Sequence, residues 1–270
     1  MPRQAGACRG VSADAVLLAR DGAIATVVLN RPEKLNALDK AMWTRLGAVM
    51  RELDADESLR CVVLRGAGDK AFAAGADISE FRAMRADSRQ AKNYGDDIAG
   101  AMHAVAACRH PTLALIQGAC VGGGLEVASQ CDLRIAGESA RFGIPIKNLG
   151  LVVAYAEMQG LIRLVGTAVA LEILLEGRIF GAREAYEKRL VNRVLPDEQL
   201  ETEVYACARR IAEGAPLVAR WHKKFARRLA DPRPLSAEEY DESYACFDTE
   251  DYRTGVAAFL AKKKPSFMGR

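Results

Sequence analysis

The chain is poor in the residues that build metal centres and cross-links. Its three histidines, His103, His110 and His222, have no cysteine or acidic cluster around them, which argues against a structural metal site. The seven cysteines are odd in number and none forms a C-x-x-C pair. Cys61, Cys108, Cys120 and Cys131 lie in apolar runs and read as small core residues of a protein kept in a reducing compartment, the cytoplasm. Charge of one sign is also lacking. With 27% charged residues and a net charge of +3, the balance carries no strong signal for nucleic acid or membrane. No apolar run approaches the roughly 18 residues of a membrane helix. The G-x-x-x-x-G-K-[ST] loop, the G-x-G-x-x-G order and the G-x-S-x-G elbow are all missing, so nucleotide-binding folds and serine hydrolases lose support.

What is present fits one large domain: 270 residues, 50% of them hydrophobic. Residues 1–14 read as a disordered tail. Short apolar runs at 16–19 and 24–29 flank Asp21-Gly22, a tight hairpin turn. Asp39 caps a helix whose face is Met42, Trp43, Leu46, Val49, Met50 and Leu53. Three strands end alike, at Gly66, Gly118 and Gly137, and helices of varied length separate them. This predicts a repeated strand-strand-helix unit. The polar stretch 82–92 reads as a mobile segment near a binding site. Residues 156–164 and 168–176 read as two helices. His103 reads as a partly buried structural histidine. From Pro196-Asp197 onward the signal is all helical, with a capping box at Ser236-x-x-Glu239, so a boundary is placed there. Residues 15–196 form the core and 197–270 a helical appendage.

The stretch that organises the chain is 117–132, QGACVGGGLEVASQCD. It reads as a strand end, a glycine turn and a helix start. The first amides of a helix have no internal partner and sit at the positive end of its dipole. Gly122 and Gly123 therefore offer a site for an oxygen that becomes an anion during a reaction. Glu126, within a turn of those donors, is placed to move protons next to a bound carbonyl. The plain alternative is that it only complements the dipole. A second stretch, Phe72-Ala73-Ala74-Gly75-Ala76-Asp77-Ile78, again puts small residues ahead of a helix. Two backbone donors converging on one oxygen is what thioester chemistry needs, each worth about 10²–10³ in rate.

These two stretches, AFAAGADISEF and HPTLALIQGACVGGGLEVASQCDLRIAGESARFGIP, together with RPEKLNAL and VAAFLAKKKPSF, resemble the crotonase superfamily of acyl-CoA enzymes, and enoyl-CoA hydratase in particular. The resemblance implies an α/β crotonase-like spiral of strand-strand-helix repeats with a C-terminal helical oligomerisation region. It implies a coenzyme A thioester as substrate, no tightly bound cofactor, and a homotrimer or homohexamer. The amides of Ala76 and Gly123 match the oxyanion-hole donors, and Glu126 the glutamate that activates water. Ala74, Ala76, Asp77, Ile78 and Ser79 match the wall along coenzyme A, and Phe259 and Lys262 match positions that reach it from the C-terminal helix.

One departure stands out. The hydratases' second glutamate falls on Ile146, which cannot transfer a proton, and the acidic position of dienoyl-CoA isomerases falls on Ala154. Glu157 and Tyr155 are candidate substitutes, although the plain reading of Glu157 is an exposed acid at a helix start. A hydratase-type enzyme is the first expectation. An isomerase, dehydratase or hydrolase of the same superfamily is the alternative, as is a CoA-ester binding protein with little activity. RWHKKFARR at 220–228 would suit RNA, but Leu217, Trp221, Phe225 and Leu229 share one helical face, which reads as core backed by solvated charge.

Overall fold

The chain enters on a hairpin. Strand β1 (Val16–Asp21) pairs antiparallel with β2 (Ile24–Leu29) across a turn in which Gly22 takes a left-handed φ of 56°. The computed structural model describes residues 15–270, so the proposed 1–14 tail lies outside the described residues. Helix α1 (Lys40–Ala55) follows, its N-terminus capped by Asp39, which accepts from the Met42 N–H at 2.8 Å. Then come β3 (Cys61–Gly66), β4 (Ala71–Ala73), the single turn α2 (Phe81–Met84) and α3 (Ser88–Ala107). Next are β5 (Thr112–Ile116), β6 (Ala119–Val121), α4 (Gly123–Gln130), β7 (Leu133–Gly137), β8 (Arg141–Gly143) and α5 (Tyr155–Glu176). The chain closes through β9 (Phe180–Gly181), α6 (Ala182–Glu187), β10 (Arg193–Leu195), α7 (Asp197–Ala212), α8 (Pro216–Arg228), α9 (Ala237–Glu242) and α10 (Glu250–Leu260).

The repeat predicted from the glycine-ended strands is the architecture. Each unit gives one strand to a large sheet, the next to a small sheet, and then a helix. The large sheet runs β1-β2-β3-β5-β7-β10 and the small one β4-β6-β8-β9. Successive units stack in parallel, β3 on β5 on β7 and β4 on β6 on β8, so the chain advances as a spiral.

Alternation along the large sheet explains why its strands are unbroken apolar runs. Val62, Leu64, Ala114, Ile116 and Ala136 face the main core with α1, α3 and α4. Cys61, Val63, Leu113, Leu115 and Ile135 face the other way, onto Leu200, Val204, Cys207 and Ala208 of α7. Both faces are covered, as parallel sheets require. The change of style at Pro196-Asp197 thus marks the start of a helix that belongs to the sheet. What leaves the core begins later, with α8.

Four expectations need correcting. Helix α8 does not bury an apolar face: Trp221 and Phe225 are half-buried and Leu229 is exposed. Its charges are not simply solvated either, because Lys223 and Arg227 both pair with Asp132, at 2.7 and 2.9 Å. His103 is exposed, since it lies about 100° round α3 from the buried Met102. Residues 82–92 are largely helical, in α2 and the first turns of α3. Finally, α5 is by length and composition apolar enough to cross a bilayer. The sequence reading divided it in two, and its backbone does leave helical geometry at Gly166 (φ 77°, ψ 166°). Its first half packs on α4, where a Cβ on Gly160 would strike the Gln130 side chain.

Candidate active site

Helix α4 reaches its place because its glycines admit close neighbours. Gly122 turns the chain out of β6 with φ 52°, a conformation that a side chain resists. A Cβ on Gly124 would lie 2.2 Å from the Ala73 carbonyl oxygen, so only glycine lets α4 press against β4. Every residue of α4 is buried. Its first residue, Gly123, faces the loop after β4: an added Cβ there would sit 3.6 Å from the Ala76 nitrogen.

The RPEKLNAL segment braces that loop. The Leu38 N–H donates to the Gly75 carbonyl and the Asp77 N–H to the Leu38 carbonyl, each at 2.8 Å, so Ala76 between them keeps its own N–H free of a backbone partner. The Asn36 side chain, fully buried, donates to the carbonyls of Ala67 and Ala71 at 3.0 and 2.7 Å. Asp77 pairs with Arg31 at 3.0 Å and Lys34 at 2.9 Å and accepts from Ser79. The Ser79 hydroxyl, the Lys34 ammonium and Arg31 all hold its carboxyl well below the ordinary range. Among the described residues, no backbone carbonyl outside a helix or strand accepts from Ala76 or Gly123. Both residues line one cavity.

That cavity, about 260 Å³, is walled by Trp43, Ile78, Ile98, Val121, Ile146 and Leu149. Into this apolar space come two carboxylates and one guanidinium: Glu126, Glu157 and Arg85. Glu157 is not an exposed helix-start acid. It is 6% exposed, beside Glu126 at 5%. The Ala154 N–H donates to Glu157 Oε2 at 3.2 Å and turns the side chain inward from the start of α5. Burial raises both carboxyl pKa values, and the Glu157 charge raises that of Glu126 further, against a smaller opposing pull from Arg85. Ionising both carboxyls at once is therefore penalised by desolvation and by mutual repulsion, and the pair titrates as a unit. Such a site holds one proton next to one base. Two unpaired backbone amides beside it are able to receive a carbonyl oxygen.

The structure thus brings together Ala74, Ala76, Ile78, Gly122, Gly123, Glu126 and Glu157, with Ile146 as an apolar wall. It leaves other candidates outside. Tyr155 is 95% exposed and lines a separate surface hollow with Arg163 and Arg227, so it is no substitute acid within this chain. The carboxyl of Asp77 and the hydroxyl of Ser79 are turned to each other and do not line the cavity. Phe259 is 83% exposed on α10, and neither it nor Lys262 lines the cavity. Several lining residues lie outside the candidate set, among them Trp43, Arg85, Ile98, Asn148, Leu149 and Leu151. Trp43 was read only as core. Arg85 lay in the stretch read as mobile, where charge suggested solvent. Among the described residues no cluster of histidine, cysteine, aspartate or glutamate is placed to hold a metal ion.

Comparison with known proteins agrees in one direction. The family described as enoyl-CoA hydratase/isomerase matches residues 19–270. A Mycobacterium bovis protein named probable enoyl-CoA hydratase is 36% identical over 95% of this chain and 99% of its own. The short-chain-enoyl-CoA hydratase of Clostridium acetobutylicum is 34% identical over 92% of this chain and 95% of its own. A crystal structure from Magnetospirillum magneticum, described as an enoyl-CoA hydratase/carnithine racemase, is 52% identical and superposes with a TM-score of 0.94, covering 96% of this chain and 97% of that one.

Proposed function

The chain belongs to the enoyl-CoA hydratase/isomerase family, and we propose on that basis that Glu126 and Glu157 add water across the α,β double bond of a trans-2-enoyl thioester of coenzyme A. The observation that carries this reading is the second buried carboxyl, brought to the cavity by α5 where Ile146 offers none. The thioester oxygen is held by the N–H groups of Ala76 and Gly123, which draws electrons from Cβ and stabilises the enolate formed as water attacks. The ionised carboxylate of the pair takes the proton from water. The protonated one delivers its proton to Cα, and the pair ends with the same single proton it began with. Ala74, Ile78 and Gly122 line the path of the thioester.

An assembly of identical chains is part of the same proposal. Val152, Tyr155, Leu175, Phe259 and Leu260 are exposed apolar or aromatic residues on or beside α5 and α10, a pattern of uncovered interfaces. A homotrimer or homohexamer would cover them and bring Phe259 and Lys262 to a neighbouring copy's coenzyme A. A cytoplasmic location is proposed on the free cysteines at 61, 108, 120, 131 and 207, all buried.

The test is hydration of a ladder of trans-2-enoyl-CoA thioesters in deuterated water. The expected product is the 3-hydroxyacyl thioester with one deuterium at Cα. Turnover of 3-enoyl thioesters to 2-enoyl thioesters without hydration would replace this reading with an isomerase, and tight binding without any turnover would replace it with a binding protein.

A further inference from the structure

Among the described residues Arg85 is the one cation lining the cavity, and it is held there by aromatic rings. Its guanidinium lies over two aromatic faces, 4.6 Å from the Phe81 ring centre and 5.0 Å from that of Tyr94. Those rings meet edge to face, and the Tyr94 hydroxyl donates to Glu80 at 3.2 Å. Glu80 in turn accepts from the Lys40 N–H at 2.8 Å, which ties the assembly to α1. Stacking fixes the plane of a guanidinium without using its N–H donors. Among the described residues those donors have no hydrogen-bond or ion-pair partner, and neither Glu126 nor Glu157 comes within ion-pair distance. By contrast the carboxylate-facing Arg31 and Arg227 are each engaged by an acid.

An unbranched hydrocarbon chain is a poor occupant of such a site. It would displace water from the guanidinium and give it no acceptor in return. A carboxylate supplies charge and two oxygens in the geometry of the arginine fork. We propose that the acyl group taken by this cavity carries a second carboxylate at its far end, and that Arg85 binds it. The inference builds on the acyl-CoA reading of the site and names its substrate class: thioesters of dicarboxylic acids.

The test is binding, so that it does not depend on which reaction follows. Dissociation constants are measured for succinyl-, glutaryl- and adipyl-CoA beside butyryl-, pentanoyl- and hexanoyl-CoA of equal carbon number. At one length at least, the acid-bearing thioester is expected to bind roughly 10-fold to 100-fold more tightly, the range of a charged hydrogen-bonded pair. In Arg85→Gln that ratio falls to about 1 by the same reasoning, and Arg85→Lys keeps part of it. Any effect of the substitution on both ligands alike cancels in the ratio. If the unaltered protein shows no preference at any length, or if Arg85→Gln retains it, the proposal is overturned. If the preference holds while no enoyl thioester is hydrated, the hydration reading fails and this one stands.

Discussion

The molecule treats its buried and half-buried acids in two opposite ways. At the base of the loop after β4, Asp77 is surrounded by Arg31, Lys34 and Ser79. Where α8 meets the sheet, Asp132 joins Lys223 and Arg227 and accepts from both the N–H and the hydroxyl of Thr112. Each aspartate ties segments that are distant in sequence. Inside the cavity no cation among the described residues comes within ion-pair reach of Glu126 or Glu157; the Ala154 N–H reaches Glu157. Asp77 is held below its ordinary pKa of 3.8, and burial lifts both glutamates above 4.5. The aspartates use their charge to hold the fold. The glutamates are kept where charge is unwelcome, which is what a proton-transfer pair working near neutral pH requires.

The sharpest way to break that contrast is to remove either glutamate's ability to ionise. Glu126→Gln and Glu157→Gln are each expected to lower kcat/KM for a short enoyl thioester by about 10²–10⁴. The double variant should lose little more than either single one, because the residues act as a unit. Steady-state kinetics on the three proteins checks this. Full activity in Glu157→Gln would leave Glu157 as a bystander and return the second proton to an unidentified donor.

The opposite treatment of Asp77 is tested by Asp77→Asn. That change takes the carboxylate from Lys34 and leaves Arg31 to its other acid partner, Asp39 at 3.0 Å, and an expected loss of about 2 kcal/mol follows. Urea unfolding measures it. Because Asp77 holds the loop carrying the Ala76 amide, affinity for an acyl thioester should fall as well. An unchanged midpoint would mean that the brace does not depend on this charge.

The sequence announced one of the two glutamates and offered the other only as a candidate beside Tyr155, without its burial, for a physical reason. Glu126 follows three glycines whose need is local: a left-handed turn at Gly122 and a contact with Ala73 at Gly124 leave a readable mark. Glu157 stands in Tyr155-Ala156-Glu157-Met158, an ordinary first helical turn. What buries it is α5 packing on α4, a contact with no local signature. Arg85, unlike Glu157, was no candidate at all, because a charged stretch reads as solvated until Phe81 and Tyr94 are known to close round it. The repeated unit was legible, since the apolar strands and their terminal glycines recur, whereas its winding into a spiral came only with the family resemblance. The covering of both sheet faces was not, because a helix such as α7 shows only that it has an apolar stripe, and not what the stripe meets.

The smallest effect separates the two treatments most cleanly, because it depends on pH with a definite sign. The Glu126 carboxyl rises from 4.5 to about 8 on folding. Below 4.5 the carboxyl is protonated in the folded and the unfolded chain alike. Between 4.5 and 8 the unfolded chain ionises while the folded one keeps its proton, so stability drains away as pH rises and stays lost above 8. Glu157→Gln removes the neighbouring charge and lets the Glu126 pKa fall part of the way back. The variant should match the unaltered protein near pH 4.5 and exceed it by about 1–2 kcal/mol at pH 8 or above. Asp77 works the other way: its contribution is full above 3.8 and is lost as pH falls through its depressed folded value, so it does not disturb the comparison in this window. Thermal unfolding of both proteins from pH 4.5 to 9 reads the difference. A gap that is constant across that range, or that favours the unaltered protein at high pH, would mean that Glu157 does not bear on Glu126 through its charge, and the two carboxyls would no longer count as one site.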